Sequence, residues 1–470
     1  MVNIFKNMYS KIELMVRGDR DRKFFKSTTG LLQGESTSPM LFSIFINDLE
    51  QNISNLQTGV NIQDYIIKIL MFADDIALFS ETQEGLQAGL KDLENYCLKW
   101  GLTVNVAKTK VVVFRKAGRL RDNEIWTYGG RNLEVVQNFK YLGCVLSSGG
   151  SLTGGTKELL NSARRALFSL RRFYSKNPQT LPKTKLELFM SMIKPILFYG
   201  SEVWGLRKAD PIEKFFLAYL KSILGVKGTT TNSYVYGEFG TYPLYIQRRV
   251  VVMKYWLKIL DMIEEGDTLT SKIYRELHQL STTNPNKVTW VTLLRDMLNR
   301  CGMGNVWLAQ KVDDKKSFLV LFKQRVYDIF IQEWRAEIEN STDGRLYKHI
   351  KVNFEFEEYL NLENSSLRTA ISRIRLSSHV FRIERGRWGQ NHIARQDRKC
   401  EICDTIEDEF HCLIECVCFV EERKGCLTEE LKRRKSMYEF VNFFQSKNIG
   451  VIKKLGMLCS RVQIAYKELM

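Results

Sequence analysis

Two groups of side chains in this sequence could do chemistry. Asp74 and Asp75 stand side by side in Phe72-Ala73-Asp74-Asp75, between apolar runs at 65–71 and 76–79. Adjacent carboxylates repel, and a hard cation is the best physical reason to hold them together, since Mg²⁺ takes carboxylate oxygens along with substrate phosphates. A solvated acidic turn is the competing reading of the bare tetrapeptide. The second group is Cys400-x₂-Cys403-x₇-His411-x₄-Cys416. Three thiolates and one imidazole make a closed tetrahedral zinc site, structural rather than catalytic. Cys412 and Cys418 compete for the fourth position, and buried unliganded cysteines are the plainer alternative.

The elements that must position these groups can be sketched from pattern. The β-branched and aromatic runs around the Asp pair read as two strands with the carboxylates at the hairpin. Upstream, Gly30 and Gly34 bracket Gln33, and Ser38-Pro39 reads as a helix start with a hydroxyl cap. Leu41, Phe42, Phe45, Ile46 and Leu49 follow at helical spacing and are expected to face a core. Downstream, Ser80-Glu-Thr-Gln83 reads as a capping box, opening a helix with Leu86, Leu90, Leu93 and Cys97 on one face and a stop near Gly101. Leu102–Val104, Val111–Phe114 and Phe139–Leu146 read as further strands. Such a succession indicates an α+β sheet layered with helices.

Gln33-Gly34 with Ser38-Pro39, then Phe72-Ala73-Asp74-Asp75, then Gly101-Leu102 with Asn105, Lys108 and Lys110, then Tyr141-Leu142-Gly143 stand in an order that resembles reverse transcriptases. The likeness is greatest to those of non-LTR (LINE-type, jockey-like) retrotransposons. This resemblance implies an RNA-directed DNA polymerase with two Mg²⁺ ions that clamp attack of a primer 3′-hydroxyl on a nucleotide α-phosphate. Asp74 would be the metal-binding carboxylate and Asp75 its less essential neighbour. Gln33, Gly34, Ser38, Phe72 and Ala73 would lie by the nucleotide and template. Lys108 or Lys110 would lie near the leaving pyrophosphate, and Tyr141, Leu142 and Gly143 would grip the primer end. The fold expected is a right-hand polymerase palm remnant with an antiparallel sheet and helices, an all-α thumb and connector, and a small zinc knuckle.

In this family a further catalytic aspartate belongs on a strand several tens of residues before the Gln33-Gly34 motif. Residues 1–29 instead read as one amphipathic segment (Ile4, Met8, Ile12, Met15) and a basic turn, 17–23. Asp19 and Asp21 sit in that charged run with no flanking apolar strand, so a solvated turn is expected. On this reading the chain is an N-terminally truncated enzyme, inactive alone. Its rival is a non-catalytic nucleic-acid-binding protein descended from such an element.

Past the palm, Arg164, Arg165, Arg171 and Arg172 form two pairs on one amphipathic helix, which the resemblance places along a template–primer backbone. Pro195–Gly205 resembles a segment recurrent in LINE-type enzymes, and helix follows helix from 206 to 370. Arg373, Arg375, Arg382, Arg385, Arg387, Trp388, Arg395 and Arg398 precede the cysteines, a basic run with an aromatic that suits RNA or single-stranded DNA. The expected organisation is palm 1–150, thumb 151–230, connector 231–385, basic segment and knuckle 386–425, and helical tail 426–470.

Bulk composition agrees. Lys and Arg outnumber Asp and Glu by 70 to 53, a net +17 that suits a polyanionic partner. The partners implied are an RNA template and a DNA primer or target. No stretch approaches the ~18 apolar residues of a membrane span, and no signal peptide is visible. An intracellular location, nucleus or cytoplasm, is expected, with the ten cysteines reduced or metal-bound.

Overall fold

Leu90, Leu93 and Cys97 repeat at helical spacing and are buried, and they organise the first of two units, Met1–Phe139. The second is Lys140–Met470. The computed structural model describes residues 2–469 except 18–21, 27–29, 33, 54–58, 63–64, 116–123, 152, 267, 343 and 388–391.

In the first unit the helix Gln83–Trp100 is capped by Thr82, whose hydroxyl accepts from the Gly85 N–H at 3.0 Å. The cap is therefore two residues later than the expected Ser80, whose hydroxyl instead donates to the Thr82 carbonyl. Gly101, at φ +65°, ends the helix as expected. Tyr96 turns its hydroxyl onto Asp48, 2.5 Å away, and so ties this helix to the chain around Leu49 and Ile53, both buried. The helix Ser38–Phe45 has Thr37, not Ser38, as its cap residue; the Ser38 hydroxyl donates to the Leu32 carbonyl at 2.7 Å. Its apolar face is only partly covered. Ile46 and Leu49 are buried, whereas Phe45 is exposed.

The sheet differs from the expectation. Among the described residues every sheet has two strands, with no continuous palm sheet. The run 65–71 breaks at Lys68: Tyr65–Ile67 pairs with Val60–Ile62, while Ile69–Phe72 pairs with Asp75–Leu78. At the break the Lys68 ammonium reaches the Ile53 carbonyl at 2.9 Å, while the Lys68 carbonyl accepts from the Phe79 N–H at 2.8 Å. Leu102–Val104 is not a strand, and the strand expected at Val111–Phe114 is only Lys110–Val111, paired in parallel with Glu134–Val135. Near the start of the chain, residues 1–17 form a helix, Val2–Tyr9, followed by a strand, Glu13–Arg17, rather than one amphipathic segment. That strand pairs with Arg22–Lys26, so strands do flank the basic turn; Asp19 and Asp21 lie outside the described residues.

The second unit is helical, as its amphipathic repeats suggested. A buried ion-pair cluster links its parts. Arg375 bonds both Glu238 carboxylate oxygens at 2.9 Å, Glu357 at 2.9 Å and the Phe444 carbonyl at 3.2 Å. Burial alone would push Glu238 up, but the Arg375 guanidinium holds its carboxyl below the ordinary value. Arg375 is thus core structure, a correction to its place in the expected basic surface. The last helix, Ile449–Leu469, packs on Ser365–Arg375; a Cβ on Gly456 would sit 2.9 Å from that of Leu367. No helix among the described residues is long and apolar enough to cross a membrane.

Candidate metal and nucleic-acid sites

The Asp hairpin is closed by a two-residue turn, Ala73-Asp74, with Phe72 opposite Asp75. So tight a turn needs positive φ at a central position, where glycine is favoured. Ala73 takes it at φ +52°, a strained conformation for an L-residue. The result pushes both carboxylates outward: Asp74 and Asp75 are exposed, and Phe72 beside them is 64% exposed. Among the described residues no third His, Cys, Asp or Glu joins them into a metal-binding group.

Asn105 builds the loop that carries the two candidate lysines. Its side-chain oxygen accepts from the Lys108 N–H at 3.2 Å and its carbonyl from Thr109 at 3.0 Å. Lys110 is paired with Glu134 at 2.5 Å, whereas Lys108 is exposed. Gly34 is exposed at φ +88° and Ser38 is tied to Leu32; Gln33 lies outside the described residues.

Tyr141-Leu142-Gly143 interrupts the strand expected over Phe139–Leu146. It is the turn of a hairpin, Asn138–Tyr141 with Cys144–Ser147, and Leu142 and Gly143 take φ +46° and +79°. Tyr199 holds this turn, donating its hydroxyl to the Leu142 carbonyl at 2.6 Å, and a Cβ on Gly143 would strike the Tyr199 ring at 2.8 Å. Tyr199 was missed, although it lies in the singled-out segment 195–205.

The helix Thr153–Lys176 buries Leu160, Ala163, Leu167 and Leu170 and leaves Arg164, Arg165, Arg171 and Arg172 exposed. Phe168 lies between the pairs, 65% exposed. In the later basic segment Arg385 is exposed, Arg387 is 3.2 Å from the Glu384 carboxylate, and Trp388 lies outside the described residues.

The cysteine cluster is assembled as its spacing suggested. One ligand atom from each of Cys400, Cys403, His411 and Cys416 falls within 4.8 Å of the others. The loop turns back on itself through Cys400 N–H to the Thr405 carbonyl, 2.8 Å, and Asp404 N–H to the Cys400 carbonyl, 2.9 Å. Asp408 then caps His411, and a five-residue π-helical turn, His411–Glu415, sets Cys416 beside it. Such turns recur at functional sites. Cys416 Sγ is 3.9 Å from both Cys400 and Cys403 Sγ. Disulfide sulfurs would be about 2.05 Å apart, while thiolates ~2.3 Å from a tetrahedral zinc lie about 3.8 Å apart.

The histidine supplies the sharper test of fit. Thr405 Oγ1 lies 2.9 Å from Nδ1, while the buried Nε2 has no hydrogen-bond partner. A zinc-ligating imidazole is oriented through its other nitrogen in this way. The donors therefore fit Zn²⁺, and of the two competing cysteines neither Cys412, which is buried, nor Cys418 belongs to the group of four. Thr405 was not read from the sequence; the rule that such a histidine needs a partner is general, but spacing does not say which residue provides it.

Residues 2–146 match the family described as reverse transcriptase (RNA-dependent DNA polymerase). The chain is 24% identical over 235 residues to the RNA-directed DNA polymerase from the mobile element jockey of Drosophila funebris, covering 48% of this chain and 25% of that protein. It is 28% identical over 198 residues to the Pol polyprotein of the type-1 retrotransposable element R2 of Popillia japonica, covering 41% and 31%. A transposon-derived protein of Caenorhabditis elegans is 32% identical over 147 residues, 30% of this chain and half of that one. The chain thus spans about a quarter of the jockey polymerase, and the stretch similar to it is longer than the family match.

Proposed function

With residues 2–146 a reverse transcriptase domain of the non-LTR (LINE) type, we propose that this chain holds template and primer and presents one half of a two-metal site. The observation that carries this reading is the Ala73-Asp74 turn, whose strained backbone aims two carboxylates at solvent beside an open aromatic ring. Asp74 would bind Mg²⁺ together with substrate phosphates, and Mg²⁺ would there neutralise charge on the transferring group. Phe72 would pack against the nucleotide, with Gln33, Gly34 and Ser38 on the template side.

Of the two lysines, Lys108 suits the leaving pyrophosphate better. Lys110 is already neutralised by Glu134, whereas Lys108 extends into solvent from a braced loop. Tyr141, Leu142 and Gly143 would grip the primer through the hairpin that Tyr199 steadies. Arg164, Arg165, Arg171 and Arg172 would neutralise backbone phosphates, with Phe168 available for stacking.

Two-metal chemistry needs more carboxylate oxygens than one Asp pair offers. We therefore propose that the chain binds template–primer without extending it. The binding half is tested on an RNA–DNA duplex with a recessed primer, by fluorescence anisotropy across a salt series. Changing the four arginines to alanine should weaken binding and flatten the dependence of log affinity on log salt by about three and a half units, at close to 0.9 for each phosphate left without its arginine. Unchanged affinity and slope would remove this helix from the interface.

A further inference from the structure

Beside the Cys/His centre the fold gathers arginines from distant parts of the sequence. Arg345, Arg387, Arg395 and Arg398 line one small cavity together with Glu384 and Glu409. Its volume is about 50 Å³. A water molecule needs only about 10–15 Å³ of such space, so the cavity has room for a small tetrahedral group.

The walls are cationic in net terms. Arg398 is buried and anchored, its Nε donating to the Ile393 carbonyl at 2.9 Å and its Nη1 to the Ile383 carbonyl at 2.8 Å. Glu409 is committed to His379, 3.0 Å away and itself buried. Although Arg387 lies 3.2 Å from Glu384, burial and the Glu409 carboxylate push Glu384 up to about 8, so its negative charge is largely suppressed at neutral pH. Arg345 and Arg395 keep more solvent access and stand at the mouth side of the charge balance. Guanidinium forks match phosphate oxygens in geometry as well as in charge.

We propose that Arg345, Arg387, Arg395 and Arg398 form a receptor for one phosphate group, supplied by a nucleic-acid strand. This rests on the nucleic-acid reading above and narrows it to a single pocket. It adds Arg345, more than forty residues from the basic segment around the pocket in sequence and not part of it. Free inorganic phosphate shares the same chemistry and is the other source.

The test titrates inorganic phosphate into the full zinc-loaded chain by calorimetry, then repeats it with Arg345→Ala and Arg345→Lys. Arg345 is exposed, so neither change disturbs the core. Removing one charge-assisted hydrogen bond should weaken phosphate binding about tenfold in the alanine variant, with partial recovery in the lysine variant. A single-stranded oligonucleotide bound more weakly by Arg345→Ala, with a shallower salt dependence, identifies the strand as the source. Phosphate binding that falls while oligonucleotide binding holds identifies free phosphate and overturns the strand assignment. No heat with phosphate, or equal affinity in all three proteins, overturns the pocket. Oligonucleotide binding by the unaltered chain reports separately on the broader reading.

Discussion

The Asp hairpin and the Cys/His centre both use metal-binding side chains, yet they are built in opposite ways. At the hairpin the carboxylates point to solvent and the backbone carries the strain. At the Cys/His centre four donors from one short stretch converge, and Thr405 and Asp408 fix the histidine. A site complete in one stretch can stabilise its own fold, because binding free energy becomes folding free energy. An open pair of carboxylates contributes almost nothing to stability and waits for ligands from elsewhere. On the proposed reading, the hairpin serves chemistry and the Cys/His centre serves the structure.

The largest effect should come from breaking the closed site. Structural zinc contributes on the order of 10 kcal/mol in small domains. Chelation, or Cys400→Ser, should therefore release one zinc per chain and strip hydrogen-exchange protection from 398–423. Full protection in a zinc-free chain would show the cluster to be packing alone. Next in size is the buried pair: Arg375→Ala should cost about 3–5 kcal/mol, because it leaves the buried Glu238 carboxylate without its guanidinium, held only by the Tyr359 hydroxyl at 2.6 Å. Urea midpoints measure this. Asp74→Ala, on an exposed turn, should stay within about 0.5 kcal/mol in the same assay.

A pH series sharpens the contrast further. Glu384 rises from an ordinary 4.5 to about 8 on folding, mainly through burial and then through Glu409. The folded chain therefore keeps a proton that the unfolded chain has released. Its contribution is complete below pH 4.5 and is lost as pH climbs through 8. Between about pH 5.5 and 8.5 the second unit should lose stability, and Glu384→Gln should flatten that loss. Parallel urea-midpoint curves for the two proteins would exclude Glu384 as the cause. At the hairpin turn, Ala73→Gly should relieve up to about 1 kcal/mol of strain. Exchange protection of 69–78 should rise; a fall would mean the turn is not strained.

What could be read from residues alone follows the same division. The Cys/His cluster was legible because all four residues lie within seventeen positions, so spacing in sequence limits spacing in space. The helix Gln83–Trp100 was legible from its apolar period and its glycine stop, although its cap lay two residues from the expected position. The break at Lys68 was not, because it is a change of strand partner within one continuous apolar run, which periodicity does not mark. Nor was the burial of Arg375, whose carboxylate partner is 137 residues away. Arg375 and Arg373 look alike in sequence, but only the fold shows that one of them is core. The pairing that sets Lys110 apart from Lys108 was likewise hidden, because Glu134 is a cross-strand partner that periodicity does not name.

The central claim is the proposal that this chain binds template–primer and, among its described residues, carries half of a polymerase metal site. Its most direct test is primer extension with Mg²⁺ on an RNA template, comparing the chain with Asp74→Ala at concentrations where both bind the duplex equally. The expected result is tight binding by both and no incorporation by either. Nucleotide incorporation by the unaltered chain that disappears in Asp74→Ala would contradict it and show that the site is complete.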